Sequence, residues 1–348
     1  MEAGQRMARI ITFGEIMLRL KAPGRERLFQ SPVLEATFGG GEANVACGLA
    51  CFGLDVAFVT VIPNNPVGDA CIAELRKWNI GTEYISRLGN RLGIYFLEPG
   101  ANQRPSKVLY DRSYSAISEL QSGVFDWENI FNNADWFHIS GITPAISRNT
   151  AKESIHALQL ARELGLTISC DLNFRKKLWK YGSDPKEVMG EIVKYVDVVI
   201  GNEEDYQKTL GISSDVNVES GELNKEAYKK ISDQVLLKFK NVKMVAITMR
   251  ESYSADYNGW SCLLNNRRAV HISRHYNIHN IVDRVGAGDT FAAGLIYGLN
   301  QLQDDKDALE FASAASCLMH SIPGDFPVMK NDEVENLMHG FGSGRVQR

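Results

Sequence analysis

Long apolar runs are missing from this chain. None reaches the roughly 20 residues a spanning helix requires, and the N-terminus has no signal-peptide core. No membrane anchor or export is expected: Met1 to Ala8 reads as a disordered leader, and the expected location is the cytoplasm. Charge of one sign is not in excess either. A net charge of -4 over 348 residues offers no basic surface for nucleic acid or an anionic membrane. Cysteine is sparse, and its six residues (Cys47, Cys51, Cys71, Cys170, Cys262, Cys317) include no Cys-x-x-Cys. They read as small buried apolar residues, not as disulfides or zinc ligands. Repeats, low-complexity tracts and separating linkers are absent too, so one unit is expected over residues 9–340.

Two familiar nucleotide motifs are also lacking. No Gly-x-x-x-x-Gly-Lys-Ser/Thr loop occurs, and Phe291 stands where Gly-x-Gly-x-x-Gly needs its third glycine. A dinucleotide oxidoreductase calls for that fingerprint after the first strand, yet Ile10 to Phe13 is followed only by Gly14. His271, His275 and His279 recur every fourth residue, but Val270, Ile272, Tyr276 and Ile278 between them favour strand, which separates the rings.

What is present is a chain 44% hydrophobic, enough for a large core. Strand-like runs at Ile10 to Phe13, Val56 to Ile62, Trp136 to Gly141, Thr167 to Asp171, Val196 to Ile200 and Lys243 to Thr248 alternate with helical patterns. Such alternation predicts an α/β fold, a mainly parallel sheet covered by helices on both faces. Two β-type interludes, about 16–38 and 91–114, interrupt it and are expected to pair as a lid.

In such sheets ligands bind beyond the carboxyl ends of the strands. Those ends carry small and polar residues, among them Asp171 to Arg175, Gly201 to Asp205 and Thr248 to Arg250. The most telling stretch is Asp283-Arg284-Val285-Gly286-Ala287-Gly288-Asp289-Thr290-Phe291. Ile281-Val282 reads as the end of a strand, and Phe291, Leu295 and Leu299 recur at helical spacing, so the glycines fall at a strand-to-helix turn. Glycine lets backbone approach a ligand closely, and the first amides of a helix are unpartnered beside the positive end of its dipole, which suits phosphate. Asp289 beside that anion site is placed to take a proton from an attacking hydroxyl. The bland alternative is a helix cap in an ordinary glycine turn.

A second glycine-rich helix start, Gly39-Gly40-Gly41-Glu42-Ala43-Asn44-Val45-Ala46, changes the weighing. The two stretches, in that order with α/β alternation between, resemble the two signatures of the PfkB carbohydrate kinase (ribokinase-like) family over nearly the whole chain. The resemblance implies a three-layer α/β/α fold with a small β-sheet lid, and transfer of the γ-phosphate of ATP to a sugar-like alcohol with Mg2+. It makes Asp289 the base and the amides of Gly286, Ala287 and Gly288 the anion hole. Asn202 resembles the Asn of the family's Asn-x-x-Glu motif; the fourth residue here is Asp205, one methylene shorter, which would meet magnesium through water. Thr248 and Arg250, in a run bulkier than the family's usual glycines, join Asn202, Gly286 and Gly288 as the nucleotide set. Near Asp283 the resemblance admits a monovalent cation.

Tyr110-Asp111-Arg112, Asp171-Leu172-Asn173-Phe174-Arg175 and Ser321-Ile322-Pro323-Gly324-Asp325 resemble the branch acting on 2-keto-3-deoxygluconate. A sugar acid asks for an arginine fork, which a neutral sugar does not need. Arg112 and Arg175 are the expected fork, with Tyr95 and Tyr110 as further donors and Asn173 beside them. By the same resemblance Gly40 lies against the sugar, and Asn44 and Asp325 hold hydroxyls. The alternatives are a kinase of another sugar, of fructokinase or ribokinase type, and a non-catalytic sugar-binding protein on the same scaffold. Open lid edges suggest a homo-oligomer.

Overall fold

The computed structural model describes residues 7–213 and 224–342. The expected leader lies outside them but for Met7 and Ala8. The chain opens with β1 (Arg9–Phe13) and leaves the core for β2 (Met17–Lys21) and β3 (Glu35–Gly39). It returns through α1 (Gly41–Cys51), β4 (Asp55–Ile62), α2 (Pro66–Lys77) and β5 (Ile85–Arg87). A second excursion holds β6 (Gly93–Glu98) and β7 (Lys107–Asp111). There follow α3 (Trp127–Phe131), β8 (Trp136–Ser140), α4 (Ile142–Ile146), α5 (Arg148–Glu163), β9 (Thr167–Asp171) and α6 (Pro185–Val193). Then come β10 (Val198–Gly201), α7 (Glu203–Leu210) and α8 (Lys225–Lys238). The chain closes with β11 (Met244–Ser252), β12 (Tyr257–Asn265), β13 (Val270–Ile272), β14 (Tyr276–His279), α9 (Ala287–Gln301), α10 (Asp305–Met319) and α11 (Asn331–Met338).

Among the described residues one sheet runs β13-β12-β11-β10-β9-β8-β1-β4-β5, with β14 also paired to β12. It is parallel from β11 through to β5 and antiparallel where β12 joins. Its strands are apolar on both faces because helices cover both. Ile10, Val56 and Phe58 pack into one apolar cluster with α1, α9 and α10, while Ile11, Ala57 and Val59 pack into another with α5 and α6. Successive side chains of a strand point to opposite faces, so one run feeds two cores.

The two interludes form a separate sheet, β3-β2-β6-β7. Its centre is a parallel pair, Met17 to Lys21 of β2 beside Gly93 to Leu97 of β6. Met17, Tyr95 and Leu97 make a small cluster on its inner face.

Two expectations need correcting. The ladder before the second glycine turn ends at His279, and Ile281-Val282 is a bend. Val282 is exposed and donates its amide to the His320 carbonyl, 2.9 Å, rather than to a strand. The strand expected over Lys243 to Thr248 continues to Ser252, because β12 pairs with it from Val245 to Ser252. No strand was anticipated over β12, where Gly259 stands opposite Glu251 of β11.

Helices α9 and α10 cross on small residues. A Cβ at Gly298 would lie 2.5 Å from the Ala308 Cα, a backbone atom that cannot move aside cheaply. Gly298→Ala is therefore expected to destabilise the protein by about 1–3 kcal/mol through overpacking, read by denaturant unfolding; an unchanged midpoint would show that the helices separate freely.

Candidate active site

A cavity of about 570 Å³ opens where the carboxyl ends of β9, β10 and β11 meet the inner face of the small sheet. Two helix starts, those of α1 and α9, reach it through Gly40, Gly41, Gly286 and Gly288. Gly286 precedes α9 with φ 85°, a left-handed conformation, and a Cβ there would come within 2.4 Å of the Asp325 carbonyl oxygen. Only glycine fits both conditions. No side chain caps α9, which leaves its first amides facing the cavity. Ala287, the first helical residue, is buried and adds no side chain to the wall.

The start of α1 is pinned from below by Glu42, which accepts the Ser140 amide at 2.9 Å and the Thr143 hydroxyl at 2.6 Å. Burial pushes the Glu42 carboxyl up to about 7. One turn on, Asn44 accepts the Gly40 amide at 3.1 Å and donates to Asp289 Oδ2 at 2.6 Å. Asn44 lines the cavity, as expected of a residue beside the sugar, and its side-chain amide also joins the two glycine turns. Asp289 itself lines the cavity, half-buried. Burial raises its carboxyl to about 6, against the pull of the Asn44 hydrogen bond and with a push from Asp325.

Other acids crowd the same wall. Asp171, at the end of β9, is held well above the carboxylate range by burial and by the charges of Asp205 and Asp289. Asp205 is also raised, chiefly by burial. Its oxygens are taken by backbone: Oδ2 accepts the Asn202 amide at 2.9 Å and Oδ1 the Phe174 amide at 2.8 Å. Asn202 returns the bond to the Asp205 amide, 3.0 Å. Asp205 thus closes a capping box and fastens the loop after β9 to α7 while still lining the cavity. Among the described residues no three His, Cys, Asp or Glu gather closely enough to hold a metal ion alone.

Cations face these acids. Arg175, Arg250 and Arg284 all line the cavity. Arg250 lies over the Trp260 ring at 5.3 Å, and Thr248 stands two residues before it on β11. Arg175 is exposed and makes no ion pair among the described residues; its Nη1 donates to the Phe174 carbonyl, 3.0 Å. Asn173 is buried with φ 36°, and its backbone N–H donates to Asp171 Oδ1, 3.1 Å.

The expected arginine fork is half built. Arg175 reaches the cavity; Arg112 does not. Arg112 is buried behind the wall, its Nη2 bound to Glu15 and its guanidinium 5.5 Å from the Tyr110 ring. A buried cation needs a fixed anion, and Glu15 supplies it. Tyr110 faces the cavity, but the Tyr95 hydroxyl is engaged, donating to Asp325 at 2.6 Å. Asp325 is further bound by Arg19 of β2, which also binds Asp283. Arg19 was not anticipated, although Met17-Leu18-Arg19-Leu20 carried the signal: alternation puts Arg19 on the face of Met17, and an inward cation implies buried acids.

Comparison with known proteins gives the family of the chain. The family model described as pfkB family carbohydrate kinase matches residues 7–326. A 2-dehydro-3-deoxygalactonokinase of Haloferax volcanii is 30% identical over 339 residues, 97% of this chain and 98% of its own. A 2-dehydro-3-deoxygluconokinase of Bacillus subtilis is 27% identical over 317 residues, 90% of each chain. The crystal structure of a 2-dehydro-3-deoxygluconokinase from Thermotoga maritima matches with a TM-score of 0.91 and 52% identity, covering 96% of this chain and 100% of that one.

The Asn44 bond has a measurable sign. It favours the carboxylate, so Asn44→Ala should raise the Asp289 pKa above about 6. The acid limb of the pH profile of turnover should then move to higher pH. A limb that stays in place would mean that Asp289 does not govern it.

Proposed function

Because the chain belongs to the pfkB family of carbohydrate kinases, we propose that it transfers the γ-phosphate of ATP to a hydroxyl of 2-keto-3-deoxygluconate. One observation carries the reading: Asp289 faces a cavity between two glycine-rich helix starts, its carboxylate fixed by one and its neighbouring amides open on the other. The carboxylate takes the proton of the attacking hydroxyl as the new O–P bond forms and the bond to ADP breaks. The amides at Gly286, Ala287 and Gly288 hold the charge on the moving phosphoryl group. Each such donor is worth about 3 kcal/mol, and the transfer needs positioning and charge neutralisation more than covalent help. At about 6 the Asp289 pKa is high enough to strengthen the base, yet leaves it ionised at neutral pH.

Magnesium belongs on the nucleotide phosphates, since the described acids form no cluster of their own; Asp205, with Glu204 beside it, is the cavity acid that would meet its water shell. Arg250, Arg284, Asn202 and Thr248 make the nucleotide side of the cavity. A monovalent cation is not part of the proposal, because Asp283 is already held by Arg19 and the Arg284 and Val285 amides. The sugar carboxylate goes to Arg175, which makes no ion pair among the described residues, with Tyr110 on the same cavity and Arg112 supporting Tyr110 from behind. Gly40 and Asn173 bound the sugar. Asp325 and Tyr95 form its wall.

The small sheet acts as a lid that keeps water from the transfer. Its outer face carries Leu18, Leu20, Ile94, Phe96 and Leu109, half-buried or exposed, in adjacent registers. That face suits a second copy of the chain, and we take the protein to be a cytoplasmic homo-oligomer; sedimentation at micromolar concentration reads its mass.

In an ADP-release assay, 2-keto-3-deoxygluconate and its 4-epimer should outpace fructose and ribose. Arg175→Ala should raise KM for the sugar acid. Asp289→Asn should keep sugar binding by calorimetry and lose about 10²–10⁴-fold in kcat. Faster turnover of fructose would sink the substrate assignment, and binding without ADP release from any sugar would favour a non-catalytic role.

A further inference from the structure

Arg19 is a buried cation, 1% exposed, to which the reading above gives no part in the transfer. It stands on the small sheet, yet both its anions belong to the other layer. Its Nη1 donates to Asp325 and its Nη2 to Asp283. Burial works against its charge, but Asp325, Tyr95 and Asp283 outweigh burial and hold the guanidinium firmly protonated.

The two acids shape the turn that presents the open amides. Asp283 Oδ1 accepts the amides of Arg284 at 2.8 Å and Val285 at 3.2 Å, and Oδ2 that of Gly324 at 3.3 Å. Asp325 presses its carbonyl on Gly286, and its carboxylate is so close to Gly39 that a Cβ there would lie 2.0 Å away. Take Arg19 away with the sheet, and two acids would face each other in a poorly solvated site. They would protonate or separate, and the turn between them would lose its frame.

We infer that Arg19 is the positioning residue through which the small sheet, drawn down on a sugar, frames the anion-holding turn and so couples sugar binding to nucleotide binding. The inference rests on the kinase reading, in which both ligands share this cavity. Because coupling is reciprocal, the nucleotide must tighten sugar binding by the factor by which the sugar tightens nucleotide binding.

The test is calorimetry on the full chain with magnesium and a non-hydrolysable ATP analogue, alone and with saturating sugar. The sugar used is whichever one the wild type phosphorylates, so that a wrong substrate assignment shows in turnover and not as lost coupling. The wild type should bind the analogue about fivefold or more tightly with sugar present. In Arg19→Met that ratio should fall to near one, while analogue affinity without sugar changes little. Arg19→Lys, which keeps the charge but cannot fork two carboxylates, should fall between them. Should Arg19→Met fail to fold, Arg19→Met/Asp283→Asn keeps the net charge of the cluster, leaving Asp325 as its one acid, and should show the same loss of coupling. A folded Arg19 variant with the wild-type ratio, or a wild type with a ratio of one, overturns the inference. A residue that only stabilised the fold would lower the melting temperature and leave the ratio alone.

Discussion

One hydrogen bond holds the site together: the amide of Asn44 donating to the carboxylate of Asp289 at 2.6 Å. Its two ends lie on helices far apart in sequence, each beginning in a glycine turn. Without it the helix starts would share a cavity and little else. With it, the base sits in a fixed place beside the open amides of α9. The glycines are the condition for this closeness, since side chains at Gly286 or Gly40 would meet backbone oxygen at 2.4 or 2.0 Å.

Around that bond the charges are arranged in opposition. Asp171, Asp205 and Asp289 are all raised by burial, so the wall resists carrying three full negative charges at once. Three arginines on the same cavity supply the countercharge. Phosphates and a sugar carboxylate would be drawn to the arginines, whereas the acids favour a bound cation or a proton to be accepted. Such a mixed surface is poorly matched to a neutral ligand and well matched to one that brings its own charges and metal.

Much of this was legible in the sequence. The α/β alternation gave the layered architecture, because apolar runs on both faces of a strand leave no other way to bury it. The two glycine stretches and Asp289 could be placed at one rim from glycine-rich helix starts, although the strand read before the second of them is absent. What sequence could not show was who pairs with whom. Arg112 and Arg175 look alike as text, but Glu15, 97 residues from Arg112, pairs with the first, while the second makes no ion pair among the described residues and stays on the cavity. Asp205 reads as a shortened metal-side acid, and the backbone amides that also hold it came to light only with the fold. Such partners follow from the path of the folded chain, which local pattern does not encode.

The central pair of the small sheet, β2 beside β6, joins segments separated by β3, α1, β4, α2 and β5. Closing so long a loop costs entropy, and the loop closed here includes α1, the helix that carries Asn44. The roof of the cavity is thus tied by the chain itself to the helix that fixes the base, so cover and floor are two ends of one closed length of backbone.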